Sequence, residues 1–182
     1  MATDIIKNPV QGDTIIFKKT AKDTDGKLLE FQMLIEPTAS GPPQHIHPEA
    51  EEQFEVLSGK VQAKIGNQKY HFEQGDSFTV PSGTAHAWWN EGNEQAKVQV
   101  RLTPATRMED FLRTWYALAK DGKMNDNGLP SIWQLATTSK KYLDSVHLVK
   151  PPLIVQKILW NILSPVAKIL GYKPDYPYPS EQ

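Results

Sequence analysis

The chain has 182 residues and a formal net charge of -1. That length can bury one proper core with an appendage, and the near-balance of charge leaves no electrostatic footprint for nucleic acid. There is no cysteine, which excludes disulfides, zinc–thiolate sites and cysteine nucleophiles and leaves histidine and carboxylate as side chains for a transition metal.

The opening segment, MATDIIKNPVQGD, is polar and lacks the apolar core of a signal peptide. Nowhere does an uninterrupted apolar run reach bilayer length, so a cytoplasmic protein is expected. From about Asp13 to Leu102 the chain reads as strands. TIIF (14–17) and KLLEFQMLIE (27–36) are short and apolar. KVQAKI (60–65) alternates strictly, with Val61, Ala63 and Ile65 on one face, and AKVQVRL (96–102) does the same through Val98, Val100 and Leu102. Period two predicts half-buried strands. Gly66-Asn67 suits a two-residue hairpin turn, and Gly59, Gly75, Gly83 and Gly92 punctuate the rest. Short strands between glycine-bearing turns predict a sandwich or a barrel.

The pattern changes after Pro104. Thr106 to Glu109 fits a capping box, followed by Phe111, Leu112, Trp115, Leu118 and Ala119 at helical spacing, with Gly122 as the stop. A second helical pattern covers Ser131 to Thr138. A third runs from Leu153 to Tyr172, where Pro165 is expected to kink or split it. The tail DYPYPSEQ reads as extended. Between Lys140 and Lys173 six lysines face one aspartate. The third helix can cover the barrel, build a dimer interface, or lie on an anionic membrane with Lys157 and Lys168 at the headgroups. Packing within the chain or in a homodimer is expected over the membrane, because Pro165 and the modest charge weaken the last reading.

Chemistry concentrates in GPPQHIHPEAEEQFEVLSG (41–59) and GDSFTVPSGTAHAWWN (75–90). Alone, His45 and His47 read most simply as an exposed polar loop. On a strand, however, residues i and i+2 share a face, so both imidazoles can aim at one point. Glu52 heads the next strand, QFEVLS. In the second segment a strand (77–80) meets a turn with Pro81 and Gly83. The chain re-enters a strand at Ala85, and His86 opens an apolar, aromatic run, an unusual place for a histidine without a partner.

These segments resemble the two motifs of the cupin superfamily of small β-barrels. The first motif asks for a glycine, then HxH, three or four residues, a glutamate, six residues and a glycine. His45, His47, Glu52 and Gly59 stand at that spacing, and Glu52 rather than Glu51 leaves the six residues. Gly41 departs from the pattern by two residues. Gly75, Pro81, Gly83, His86 and Asn90 meet the second motif throughout. The resemblance covers roughly the first 104 residues. It implies a mainly β fold, a double-stranded β-helix (jelly-roll) barrel over 1–104. A C-terminal α-helical extension over 105–182 then packs on the barrel or on a partner subunit. By position it implies His45, His47, Glu52 and His86 as ligands of one divalent transition metal. Three imidazoles and a carboxylate suit Fe, Mn, Ni, Cu or Zn rather than Ca or Mg. Four protein ligands on an octahedral ion leave two positions for Lewis-acid or dioxygen chemistry.

Strand parity places Phe54 and Val56 inward with Glu52, and Trp88 with His86. Phe31, Met33, Phe78 and Tyr70 are further pocket-wall candidates, each equally at home in a core. Glu49, Glu51 and Glu55 read as solvated charges. An apolar, aromatic pocket over a metal suits a small organic acid, phenol or ketone. The expected function is a metal-binding cupin acting on a small organic molecule as a dioxygenase-type oxidoreductase, dimeric, without a nucleic-acid partner and with no catalytic residue assigned. The alternative is a non-catalytic, small-ligand-binding or sensing cupin with a structural metal; no helix-turn-helix precedes the barrel.

Overall fold

The computed structural model describes residues 4–178; the end of the expected extended tail, Pro179 to Gln182, lies outside the described residues. The strands are β1 (Ile5–Asn8), β2 (Asp13–Lys19), β3 (Leu29–Ile35), β4 (His45–Ile46), β5 (Glu51–Ser58), β6 (Lys60–Ile65), β7 (Gln68–Glu73), β8 (Ser77–Val80), β9 (His86–Trp89), β10 (Ala96–Thr103) and β11 (His147–Leu148). The helices are α1 (Met108–Lys120), α2 (Ile132–Tyr142) and α3 (Leu153–Ile169).

Two antiparallel sheets pack face to face, ordered β1-β2-β3-β10-β5-β8 and β11-β4-β9-β6-β7. This is the jelly-roll barrel of the expected mainly β fold, with helices following it. Alternation explains the core. In β3, Leu29, Phe31, Met33 and Ile35 are buried, and β10 faces the same interior with Val98, Val100 and Leu102. The expected hairpin is present: Ile65 pairs with Gln68 across Gly66-Asn67, with Gly66 at φ +59.

β1 was not readable as a strand in the polar opening segment. Only Ile5 and Ile6 carry its apolar signal, and Ile6 is fully buried. Asn8 then turns the chain: its Oδ1 accepts from the backbone N–H of Val10 and of Gln11, each at 3.1 Å. This is an Asx turn made by a short polar side chain.

Two helix expectations need correction. The capping box does not form: α1 starts after Arg107 with no side-chain cap, and Thr106 Oγ1 is buried without a partner. The Glu109 carboxylate instead accepts from Ala21 N–H at 3.1 Å and from Arg113 one turn on at 2.8 Å. An ion pair at i,i+4 and a loop to anchor outcompete the reach back to the cap. Pro165 neither splits nor ends α3, which runs uninterrupted through it. Asn161, whose carbonyl loses its i+4 donor there, is exposed, as is Pro165, so solvent can satisfy that group. The stop at Gly122 is as expected. Gly122 N–H bonds Ala119 O and Lys123 N–H bonds Leu118 O, the paired bonds of a Schellman motif with a left-handed glycine at φ +66.

The helices rest on the barrel. Met108, Leu112, Trp115, Tyr116, Leu135 and Trp160 join the same buried cluster as the strand residues. α3 lies on α2 with its sides reversed from the usual pattern. Gln156, Trp160, Ser164 and Ala167 are buried, while Ile154, Ile158, Ile162 and Ile169 are between 54% and 86% exposed. Among the described residues no helix is long and apolar enough to cross a membrane.

Gly41, two residues out of step with the motif, has its own reason to be glycine. Its φ is +64, and a Cβ there would sit 1.7 Å from the carbonyl oxygen of Trp88. Gly41→Ala is expected to cost roughly 2–5 kcal/mol from strain plus a backbone clash. Gly66→Ala, at a similar φ but with nothing within 4 Å, is expected to cost only about 1–2 kcal/mol. Urea unfolding of both variants checks this, and equal losses would refute the close-approach argument.

Candidate metal centre

His45, His47, Glu52 and His86 come together: one ligand atom from each lies within 4.8 Å of all the others, and all four residues are buried. The sheets explain how. His45 on β4 stands directly opposite His86 on β9. Glu52 reaches them from the facing sheet, where it sits on β5 between Leu102 of β10 and Val80 of β8. His47 follows β4, and Gly83 N–H holds its carbonyl at 2.8 Å, tying the Pro-Ser-Gly turn to the ligand loop.

Each imidazole is oriented the same way. Nδ1 of His45 donates to the Pro43 carbonyl (2.9 Å), Nδ1 of His47 to Ser145 (2.9 Å) and Nδ1 of His86 to Thr84 (3.1 Å). A carbonyl can only accept, so the proton sits on Nδ1 and each Nε2 is left to the site. His86 Nε2 is 2.9 Å and His47 Nε2 3.5 Å from the same oxygen, Glu52 Oε2. His47 Nε2 is buried with no hydrogen-bond partner among the described residues. Three inward imidazole nitrogens, one of them orphaned, and a carboxylate fit a transition metal ion.

Burial alone would raise the Glu52 carboxyl, but the charges of His47 and His86 and the hydrogen bond with His86 outweigh it and hold it well below the usual carboxylate range. Burial pushes His45 well below an ordinary imidazole, and the neighbouring His86 and His47 add to this. Burial acts on His47 in the same direction, but the Glu52 carboxylate beside it prevails and raises it.

The group borders a cavity of about 90 Å³, several times the ~10–15 Å³ that one water requires. His45 and Glu52 line one end, and Ile15, Phe31, Met33 and Trp88 line the barrel side. Much of the remaining wall comes from the extension, with Met108, Phe111, Leu112, Trp115, Leu135 and Val146 among its residues. Of the expected pocket residues, Phe31, Met33 and Trp88 are therefore at the cavity. Phe54 and Phe78 are not; they stack on each other at 4.5 Å, with Phe72 4.0 Å from Phe78. Tyr70 is exposed and stacks on Phe72. Glu55 meets Arg101 at 3.5 Å, and Arg101 also binds Glu30.

Sequence reasoning missed the extension's share of the site. Ser145 holds His47, and β11 pairs with β4 so that Leu148 stands opposite His45. His147, on that strand, lines the cavity, as do Gln11 and Tyr116. No local motif marks these residues; each arrives through a long-range contact. The only available signal was a fifth histidine in an apolar context, SVHLV.

A jelly-roll barrel holding three histidines and a glutamate between its sheets defines the cupin class. The comparisons agree: residues 31–102 match the model of the cupin domain family, and the chain carries a cupin domain. An RmlC-like cupin from Shewanella frigidimarina superposes with a TM-score of 0.51 at 18% identity, covering 59% of this chain and 88% of that one. A sugar phosphate isomerase of the cupin superfamily from Silicibacter pomeroyi gives 0.50 at 17%, covering 56% and 71%. At these identities the likeness concerns the fold alone. Among curated relatives, a probable oxidoreductase, virH, of Hypocrea virens is 28% identical over 156 residues, 79% of this chain and 69% of that protein. An oxidoreductase of Arthrobotrys oligospora is 24% identical over 155 residues, and the chain spans only 61% of its length. A match to 79% of the chain is more than residues 1–104 hold, so both likenesses reach into the helical extension.

A metal at this site competes with protons for His47, whose pKa lies above the ordinary 6.5, while His45, shifted the other way, stays neutral to lower pH. On acidification, metal affinity is therefore expected to start falling while the pH is still above 6.5. A chelator-competition titration of the metal-loaded protein from pH 8 to pH 5 reads this directly. A loss that begins only near pH 5 would contradict the assignment of His47.

Proposed function

We propose that this protein is a metal-dependent cupin oxidoreductase of the dioxygenase type, acting on a small, largely apolar organic molecule. The observation that carries the reading is the oriented group of three imidazoles and one carboxylate opening onto an apolar cavity. The oxidoreductase names of the two curated relatives support it at the level of reaction class. His45, His47, Glu52 and His86 would hold one divalent Fe, Mn, Ni, Cu or Zn ion, which when bound supplies Lewis-acid and redox chemistry toward dioxygen and substrate. The other residues act on the ligand: Phe31, Met33, Trp88 and Trp115 offer apolar contact and exclude water. We assign residues 1–104 to holding the metal and residues 105–182 to closing the cavity, in a cytoplasmic protein.

The protein purified without an affinity tag is expected to contain about one such metal per chain, lost in His86→Ala and in the His45→Ala, His47→Ala double variant. It is also expected to consume dioxygen with small phenols or diketones. Stoichiometric metal retained in either variant would sink the ligand assignment. Metal without oxygen uptake would favour the non-catalytic ligand-binding reading.

We propose further that the protein is a homodimer joined through the outward face of α3. A two-fold interface needs a surface that complements itself, and an apolar face does so where a patch of one charge does not. Ile158→Lys with Ile162→Lys is expected to give a monomer by light scattering of the eluting protein. A wild-type protein that is already monomeric at micromolar concentration would remove the proposal.

A further inference from the structure

Polar side chains other than the histidine–glutamate group also line the cavity. Gln11 follows β1, is 4% exposed and lines the cavity. Its neighbours fix which way its amide faces. Asn8 Oδ1 already accepts from two backbone N–H groups, so Asn8 Nδ2 is its donor, and it donates to Gln11 Oε1 at 2.6 Å. Gln11 Oε1 is thereby occupied, and Nε2 is the group left over. It is buried and has no partner among the described residues. An unpaired buried donor costs about 1–3 kcal/mol, a cost that an acceptor arriving with a ligand removes.

Tyr116 of α1 lines the same cavity, and its hydroxyl donates to Asp13 Oδ2. Asp13 is buried, with Oδ1 unpartnered; burial pushes its carboxyl up to about 7 against the hydrogen bond from Tyr116. Burial, and then the Asp13 charge, push the Tyr116 phenol well above its ordinary range. With its own proton committed to Asp13, Tyr116 Oη offers lone pairs. Gln11 and Tyr116 thus bring one free donor and one acceptor to the wall, which Ser139 and His147 also line, and neither Arg nor Lys does. Beside Gln11 and Tyr116 an anionic group would meet the Asp13 carboxyl rather than an Arg or Lys. A neutral hydroxyl accepts from Gln11 and donates to Tyr116.

We propose that Gln11 and Tyr116 form a subsite for a neutral hydroxyl group, phenolic or alcoholic, on a ligand whose other end faces His45 and Glu52. Asp13 is the positioning residue that holds the Tyr116 proton. The proposal rests on the reading of this cavity as the ligand site and is independent of the redox chemistry.

Two probes with one ring test it by calorimetry on the full chain: phenol and toluene. The wild-type protein is expected to bind phenol about tenfold more tightly than toluene, the discrimination a hydrogen-bonding site makes against an analogue lacking the group. In Gln11→Met and, separately, in Tyr116→Phe, the phenol-to-toluene ratio is expected to fall toward one while toluene affinity is retained. Retained toluene binding also shows that a variant is folded, and the two substitutions guard against misfolding of either. An unchanged ratio in both variants, or wild-type binding of toluene as tight as phenol, overturns the subsite and leaves the cavity reading standing. If no probe binds the wild-type protein, the cavity reading falls and the subsite falls with it.

Discussion

A carboxylate taken out of water loses several kcal/mol of solvation even after its surroundings relax, and it persists only if charge and hydrogen bonds replace that loss. Glu52, 5% exposed in the barrel, sets this condition for the molecule. The compensation must come from the opposite sheet, because its own neighbours on β10 and β8 are Leu102 and Val80. His47 and His86 provide it. Their placement requires β4 and β9 in register, the turn at Pro81 to Gly83 tied to the His47 carbonyl, and Gly41 pressed against Trp88. A divalent ion would complete what the imidazoles begin, joining both sheets at one point with a charge that matches the desolvated carboxylate.

The helical extension belongs to the same arrangement. The Ser145 carbonyl fixes the His47 ring, and an imidazole held in this way is more basic and less free to rotate. β11 sits at the edge of the β4 sheet, and Gln156 of α3 donates to Leu148 O at 2.7 Å and to Pro151 O at 2.6 Å. A continuous set of bonds therefore runs from α3 through β11 to the ligand strand. Loosening the extension would disturb His47 and open the cavity together. This gives a physical reason for the curated likenesses to extend past the barrel.

Much of the barrel was legible because strand alternation is local. β3, β6, β10 and the Gly66-Asn67 hairpin follow from a few adjacent residues each, and the four site residues follow from spacing within two short segments. Parity also placed Phe54 inward correctly, yet Phe54 is not at the cavity. Parity identifies the face of a strand but not the depth along it. At about 3.3 Å per residue, Phe54 lies roughly 7 Å along β5 from Glu52, where it meets Phe78 instead. The capping box failed for a similar reason: its four-residue window could not see Ala21 and Arg113 competing for Glu109. Gln11, Tyr116 and Ser145 were out of reach altogether, since only the folded chain brings them to the cavity or to His47, and His147 offered no more than its apolar context.

α3 shows how periodicity can name a face without saying where it points. Its apolar residues recur at helical spacing, which ordinarily means an inward stripe. Here Gln156 and Ser164 turn inward, and the isoleucines turn out. Gln156 accounts for part of the inversion: its buried amide donates to the Leu148 and Pro151 carbonyls at the β11 end. An apolar residue at that position would forgo both bonds. The inward face is therefore selected by backbone hydrogen bonding around β11, and so by the strand that flanks His45. The outward isoleucines are what remains once that requirement is met, and their exposure then becomes a property that association with a second apolar surface can relieve.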